Sequence, residues 1–342
     1  VVRRNFEAAT GFDAALWEEI AGMGWLGTAM PEAYGGAALG YDGLCVLAEE
    51  LGYALAPVPF SSSIYLAAEA ILTAGSEAQK QRLLPPMVAG RIGTLALAEG
   101  LGNPSPAHIA ATVADGRLSG TKLPVPDGEI AKLAVVAAAE ASGEIGLYVV
   151  ELDAPGVRRS RLKTVDPGRG QAKIEFDGVP AERLEAAHGF GAVGAVLDRA
   201  AILIAFEQVG GAQACLDMAK AFAMERFAFG RPIASFQAIK HKLADVYVAT
   251  ELARSNAYYG AWAISTGAAE LPVAAAAARV SATEAFHLAS KENIQTHGGI
   301  GFTWEADCHF YYRRSKVLAA ALGSAPYWKD RLIAALERRN AP

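Results

Sequence analysis

The stretch Glu225-Arg226-Phe227-Ala228-Phe229-Gly230-Arg231-Pro232-Ile233-Ala234-Ser235-Phe236-Gln237 reads as a helix end, a tight turn and a new helix beginning near Ser235. Gly230 and Pro232 supply the punctuation: glycine admits left-handed backbone, and proline fixes φ while lacking an N–H. Taken alone, the stretch is a plain helical hairpin. Two arginines and a glutamine gathered among phenylalanines are what that reading leaves over. Working outward, apolar residues at helical spacing fill residues 189–339, with breaks at 230–232, 267–272, 297–301 and 323–326. The last zone is therefore expected to be an α-helical bundle. The alanine run at 274–278 fits, since alanine is the best helix former and lets helices approach closely.

A second stretch, Gln295-Thr296-His297-Gly298-Gly299-Ile300-Gly301-Phe302, places glycines where backbone N–H groups can meet phosphate oxygens with no Cβ in the way. A nicotinamide fingerprint would need a preceding strand, G-x-G-x-x-G spacing and an acid about 20 residues later. An alanine-rich helix precedes instead, so that fingerprint is excluded. A glycine cap between two helices and a phosphate-facing loop both remain open. His297 in isolation reads as a structural side chain.

Toward the N-terminus the period changes. Short apolar runs such as 131–138, 146–151 and 172–176 share this zone with Asp115-Gly116, Ser119-Gly120 and Asp127-Gly128, which is strand-and-turn punctuation. With no helical pattern between them, an antiparallel sheet or small barrel is expected rather than βαβ units. Before that zone come helical patterns at 12–23 and 41–55, the loop Met30-Pro31-Glu32-Ala33-Tyr34-Gly35-Gly36, and a helix started by Ser76 ahead of Leu83, Leu84 and Met87. The expected fold class is α+β: an N-terminal α-helical domain (1–93), a middle antiparallel β-barrel or sheet domain (94–186) and a C-terminal four-helix bundle (187–342). The first residues, Val1-Val2-Arg3-Arg4-Asn5-Phe6, lack a signal-peptide pattern and read as the middle of a helix, so an upstream helix is expected.

Composition narrows the function classes. With 342 residues, 52% hydrophobic and 20% charged, the chain can bury a large core, which excludes disorder. Net charge is −5 and the basic residues are scattered, so nucleic acid and anionic membranes are not expected partners. Contiguous apolar runs such as 133–139 fall short of the ~18 residues of a membrane span. Cys45, Cys215 and Cys308 have no CxxC spacing and read as buried apolar residues, without a metal site, in a reducing compartment. A cytoplasmic protein is expected.

Together, in this order and within an α–β–α chain, the two quoted stretches resemble the acyl-CoA dehydrogenase family of flavoproteins. Glu49-Glu50-Leu51-Gly52, Phe176-Asp177-Gly178-Val179-Pro180, Glu207-Gln208-Val209-Gly210-Gly211 and the 30–36 loop add to the resemblance, which covers nearly the whole chain. It implies FAD held at a subunit interface, with Arg226, Phe229, Gln237, Gln295, Gly298 and Gly299 reaching a cofactor seated mainly in the neighbour. Arginine suits a pyrophosphate because it is planar and permanently charged. The implied reaction belongs to lipid metabolism: a carboxylate removes the α-proton of an acyl-CoA thioester while the β-hydride moves to flavin N5. A homo- or hetero-oligomer (dimer or tetramer) and an electron-transfer flavoprotein or similar acceptor are implied partners.

Several positions depart from that family's pattern. Where many members carry a Glu before Gly in the loop after the helix of Arg313, Arg314 and Lys316, this chain has Leu322. Leucine accepts no proton, although its backbone N–H can polarise a thioester carbonyl. A second family position for the base, a Glu next to an Arg on the first long bundle helix, matches Asp198-Arg199. Asp198 is therefore the candidate base, with Arg199 and Leu322 as substrate-binding candidates. The bland reading of Asp198 is an acid in the first turn of a helix, paired with Arg199. Glu207, Glu225, Glu305 and Asp307 read as structural or solvent-facing. In the strand zone, the family's Thr-Glu-Pro-x-x-Gly-Ser becomes Ala98-Glu99-Gly100-Leu101-Gly102-Asn103-Pro104, and Pro124 and Pro126 stand where a flavin-covering Trp-x-Thr/Ser is usual. Three readings stay open: an acyl-CoA dehydrogenase, a non-catalytic partner subunit completing another chain's FAD site, and a nitroalkane oxidase or monooxygenase of the same fold.

Overall fold

In the computed structural model, which describes residues 1–8, 11–186 and 188–340, the N-terminal zone is helical. It contains α1 (Val2–Ala8), α2 (Ala14–Gly22), α3 (Gly40–Tyr53), α4 (Glu69–Ala74) and α5 (Glu77–Val88). Local chemistry sets the starts. The Asp13 carboxylate accepts from Leu16 N–H at 3.1 Å to cap α2, and Gln79 Oε1 accepts from Ser76 N–H at 3.0 Å ahead of α5. In the 30–36 loop a Cβ on Gly36 would lie 2.0 Å from the Met30 carbonyl oxygen, so only glycine closes that turn.

The middle zone is one eight-stranded sheet: β1 (Gly93–Ala96), β2 (Thr112–Ala114), β3 (Arg117–Pro126), β4 (Leu133–Glu140), β5 (Ile145–Glu151), β6 (Val157–Arg161), β7 (Gln171–Pro180) and β8 (Glu182–Arg183). The order is β6-β7-β3-β2-β4-β5-β8, with β1 beside β4. Most pairs are antiparallel, but β1 and β2 both run parallel to β4, which corrects the purely antiparallel expectation. Parallel neighbours need a long connection, not necessarily a helical one. Residues 97–132, which include β2 and β3, supply it for β1. Leu133–Val136 of β4 are fully buried, consistent with a central strand covered on both faces.

The C-terminal zone is helical again: α6 (Gly189–Glu225), α7 (Gln237–Thr266), α8 (Leu271–His297), α9 (Cys308–Ala320) and α10 (Ala325–Asn340). α6 is long and apolar enough to cross a bilayer, with mean hydropathy 1.7 over its most apolar window. That window is 67% buried within the chain, as in a core helix.

By its internal contacts the chain forms two units, Val1–Gly43 with Pro57–Ala200, and Leu44–Ala56 with Ala201–Pro342. Ala187, at the border drawn from sequence, lies outside the described residues. In the second unit, a Cβ on Gly210 would sit 1.9 Å from the Glu49 carbonyl oxygen, and one on Gly52 would sit 2.0 Å from that of Glu207. The end of α3 and α6 thus cross at backbone contact, which explains both glycines. Gly211 similarly makes room for the Phe286 ring.

Candidate cofactor groove and active site

In the second unit α6 ends at Glu225, and the chain reverses in a hairpin of two short strands, β9 (Phe227–Ala228) and β10 (Arg231–Pro232). Phe229 (φ 50°) and Gly230 (φ 77°) make the turn in left-handed backbone. Ile233 N–H donates to the Arg226 carbonyl at 2.8 Å, pinning the far side of the hairpin beside α6. The second helix begins at Gln237, slightly later than the sequence suggested, after a 3-10 turn at Ile233–Ser235.

α8 ends at His297, and Gly298 follows with φ 60° and ψ −136°, a conformation that side chains resist. The 3-10 turn Gly298–Phe302 then folds back, with Gly301 close against the Ile294 carbonyl. This end of α8 and the end of α6 face one groove of about 530 Å³. Phe222, Arg226 and Ile233 line one side; Thr296, His297, Gly298 and Gly299 line the other. The Arg226 side chain is exposed and has no hydrogen bond or ion pair among the described residues. A Cβ added at Gly298 or Gly299 would meet nothing within 4 Å, so both point into open space. Of the other sequence candidates, Gln237 and Gln295 are exposed on the neighbouring helices and Phe229 is 95% exposed at the hairpin tip; none lines this groove.

Asp198 lies in the first unit, 6% exposed and well inside α6. The first turn of α6 holds no acid, so the helix-start reading of Asp198 fails. Arg199 forms its ion pair with Glu69, Nε to Oε1 at 3.1 Å, and also donates to the Ala195 carbonyl. Tyr41 donates its hydroxyl to both Glu69 oxygens at 2.8 Å. Burial pushes the Glu69 carboxyl upward, against the opposing pull of Tyr41, Arg199 and Thr73. Sequence reasoning passed over Glu69; its only signal was a lone acid inside the apolar run Ala67-Ala68-Glu69-Ala70-Ile71.

Leu322 lies in the second unit, in the turn after α9, with φ 60°, followed by Gly323 at 104°. The turn is held from both sides. Trp328 Nε1 donates to the Leu322 carbonyl at 3.1 Å, and Arg279, 1% exposed, donates to the carbonyls of Leu318 and Ala321. Gln208 Oε1 and Thr283 Oγ1 take the other nitrogen of Arg279, each at 2.6 Å. Desolvation lowers the Arg279 guanidinium to about 10. Glu207 and Arg314 are also buried, 3.6 Å apart, so Glu207 does not face solvent.

Comparison with known proteins bears on the whole chain. Family models described as acyl-CoA dehydrogenase N-terminal domain and C-terminal domain match residues 2–91 and 187–336. The acyl-CoA dehydrogenase IpdE2 of Mycobacterium tuberculosis is 32% identical over 324 residues, 94% of this chain and 87% of the relative. The chain belongs to the acyl-CoA dehydrogenase family. Among solved structures, a variant of the Tcur3481-Tcur3483 steroid ACAD shares 35% identity at a TM-score of 0.88, covering 100% of this chain and 97% of the other. The ChsE4-ChsE5 complex of Mycobacterium tuberculosis gives 29% identity and a TM-score of 0.87, covering 97% and 89%. The chain is thus an oxidoreductase of the acyl-CoA dehydrogenase type, from a flavin-dependent family.

In the strand zone, the segment around Glu99 is bonded within the chain. Lys122, whose side chain is fully buried, reaches Glu99 Oε1 at 2.5 Å and the Leu97 carbonyl at 3.2 Å. The Glu99 carboxylate also accepts from the N–H groups of Ala110 (2.8 Å) and Ala111 (3.0 Å). Desolvation pulls the Lys122 ammonium down, while Glu99 pulls it up. Ala98–Gly100 backbone is laced to Leu123 on β3. The polar groups of this segment are therefore engaged within the chain, next to prolines that offer no N–H.

Proposed function

We propose that this chain serves the FAD-dependent α,β-dehydrogenation of an acyl-CoA thioester by lending its Arg226, Gly298 and Gly299 groove to a dinucleotide seated mainly in a neighbouring subunit. One observation carries the reading: an arginine whose side chain has no hydrogen bond or ion pair among the described residues faces two glycines whose missing side chains leave open space in a single groove. That donor set fits a diphosphate, by charge-assisted hydrogen bonds from the guanidinium and close approach to main-chain N–H groups. Phe229, Gln237 and Gln295, exposed on adjoining segments of the chain, are assigned to the same cofactor. Phe227, Phe229, Ile300 and Phe302 are exposed around it, apolar surface that a neighbouring subunit would cover.

Hydride acceptance is the chemistry that the flavin supplies when bound. Asp198, a buried carboxylate, is assigned the α-proton. Arg199, held by Glu69, and the fixed Leu322 turn are assigned to substrate binding. To this reading belong three domains, 1–93, 94–186 and 187–342, an oligomer of two or four chains, an electron-transfer flavoprotein or similar acceptor, and a cytoplasmic setting, which suits three buried cysteines outside any disulfide.

A second reading is favoured by the Lys122–Glu99 pair and by Leu322: the chain is a partner subunit whose own flavin cradle is closed and whose neighbour owns the base. Relatives named as pairs, Tcur3481-Tcur3483 and ChsE4-ChsE5, support such mixed assembly. The visible spectrum of the chain purified alone, with released FAD counted, separates the two. A yellow, active homo-oligomer sinks the partner reading. A colourless chain that gains about one FAD per pair on co-expression with a neighbouring homologue sinks independent catalysis. A chain that binds no flavin in either preparation refutes the groove assignment.

A further inference from the structure

Away from the groove, α8 and α9 bring together a pair of side chains that the dehydrogenation does not use. Lys316 Nζ on α9 lies 2.6 Å from His287 Nδ1 on α8. An ammonium only donates, so Nδ1 is the acceptor and the neutral ring carries its proton on Nε2. Lys316 also sits over the Tyr312 ring, one turn back on α9, at 4.4 Å, and Tyr312 lies tilted beside His287 with ring centroids 6.3 Å apart. The nitrogen is thereby held against the imidazole instead of sweeping through solvent. Burial, together with Lys316 and Lys291, pulls the His287 imidazolium below its ordinary value, which keeps the ring neutral and able to accept a proton. His287 is exposed and Lys316 half-buried, so a solute can reach the pair. Two other exposed lysines of the same unit lack such a neighbour: Lys329 faces Glu284 at 2.8 Å, and Lys220 on α6 has no side-chain partner among the described residues.

We propose that Lys316 is a self-acylation site, its nitrogen attacking acyl-CoA thioesters with His287 as the base. A nucleophile within hydrogen-bond reach of a base is the arrangement that activates it, and thioesters are the acylating agents that a chain of this family meets. In the step, one proton of Nζ passes along the existing bond to Nδ1 and on to water, which frees the nitrogen lone pair. The lone pair attacks the thioester carbonyl carbon, the N–C bond forms, the C–S bond breaks, and the coenzyme leaves as a thiolate that takes the second proton. No electrons are exchanged, and neither flavin nor Asp198 takes part. The product is an amide at Lys316, without the positive charge that now sits over Tyr312.

The test incubates the purified protein near pH 8 with acetyl-CoA, which has no β-carbon and so cannot be dehydrogenated, and follows the acetyl occupancy of each lysine by peptide mass spectrometry. Lys316 is expected to react about tenfold faster than Lys329 and Lys220, a modest share of what a positioned base supplies. His287→Gln is expected to bring Lys316 to within threefold of Lys220 while leaving Lys329 unmoved. Lys316→Arg keeps a cation over Tyr312 and is expected to remove the fast phase from total acetylation. A Lys316 no faster than Lys329 and Lys220 overturns the proposal, and so does a fast Lys316 that persists in His287→Gln. The wild-type comparison is made within one folded protein, so it decides even where a variant fails to fold.

Discussion

Arg226 gives the sharpest test of the groove, because its side chain does nothing for the fold that the structure can detect. It is exposed, without an ion pair or hydrogen bond among the described residues, and only its backbone is engaged, with Phe222 and Ile233. Arg226→Gln should therefore leave the melting temperature nearly unchanged, since surface substitutions away from special features stay within about 0.5 kcal/mol. The cofactor should behave differently. A guanidinium on a diphosphate contributes hydrogen bonds to a charged acceptor, each about 1.5–3 kcal/mol. Taking one such bond as lost in full and the glutamine amide as a partial substitute leaves about 2 kcal/mol, or about 30-fold in FAD affinity. The assay is equilibrium dialysis of the oligomer against FAD, paired with thermal denaturation of the apoprotein. FAD affinity within threefold of wild type, with the fold intact, would refute the assignment of the groove to a diphosphate.

Other outcomes follow from the same geometry. Gly210→Ala places a Cβ 1.9 Å from a backbone oxygen and should cost at least about 3 kcal/mol in urea unfolding, whereas Gly299→Ala enters open space and should leave stability unchanged while weakening FAD. A Gly210→Ala protein as stable as wild type would contradict the backbone contact of α3 with α6. Asp198→Asn should keep bound flavin and lose turnover by orders of magnitude; activity within tenfold of wild type eliminates Asp198 as the base. Glu69 holds its proton to higher pH in the folded chain than in the unfolded one, so its contribution to stability is full below about 4.5 and is lost as pH rises through the folded-state value. Glu69→Gln should remove that slope, and the melting temperature of wild type minus that of the variant should fall from pH 4.5 upward; a difference that grows with pH refutes the raised carboxyl.

Glycine shows how far the sequence could be read. The motifs that carried the family resemblance contain glycines of two kinds that look alike in one dimension. Gly36, Gly52, Gly210, Gly211 and Gly301 are packing glycines, each with an atom within about 2.6 Å of a would-be Cβ, whereas Gly298 and Gly299 face emptiness. Only the second kind has room for a ligand. The buried charges were less legible still. Lys122, Glu69 and Arg279 sit in ordinary-looking strand and helix patterns, and each is held by partners that come from elsewhere in the chain.

The helical and strand zones and the identities of Arg226, Gly298, Gly299, Asp198 and Leu322 were set by the sequence itself, because periodicity, turn residues and motif order act over short range. Tertiary structure alone decided that Arg226 and the glycine pair share one groove, that β1 and β2 run parallel to β4, that Arg199 pairs with Glu69, and that Glu99 is taken up by Lys122. Each of these depends on bringing distant segments together, and on the water excluded there, which no local window of residues encodes.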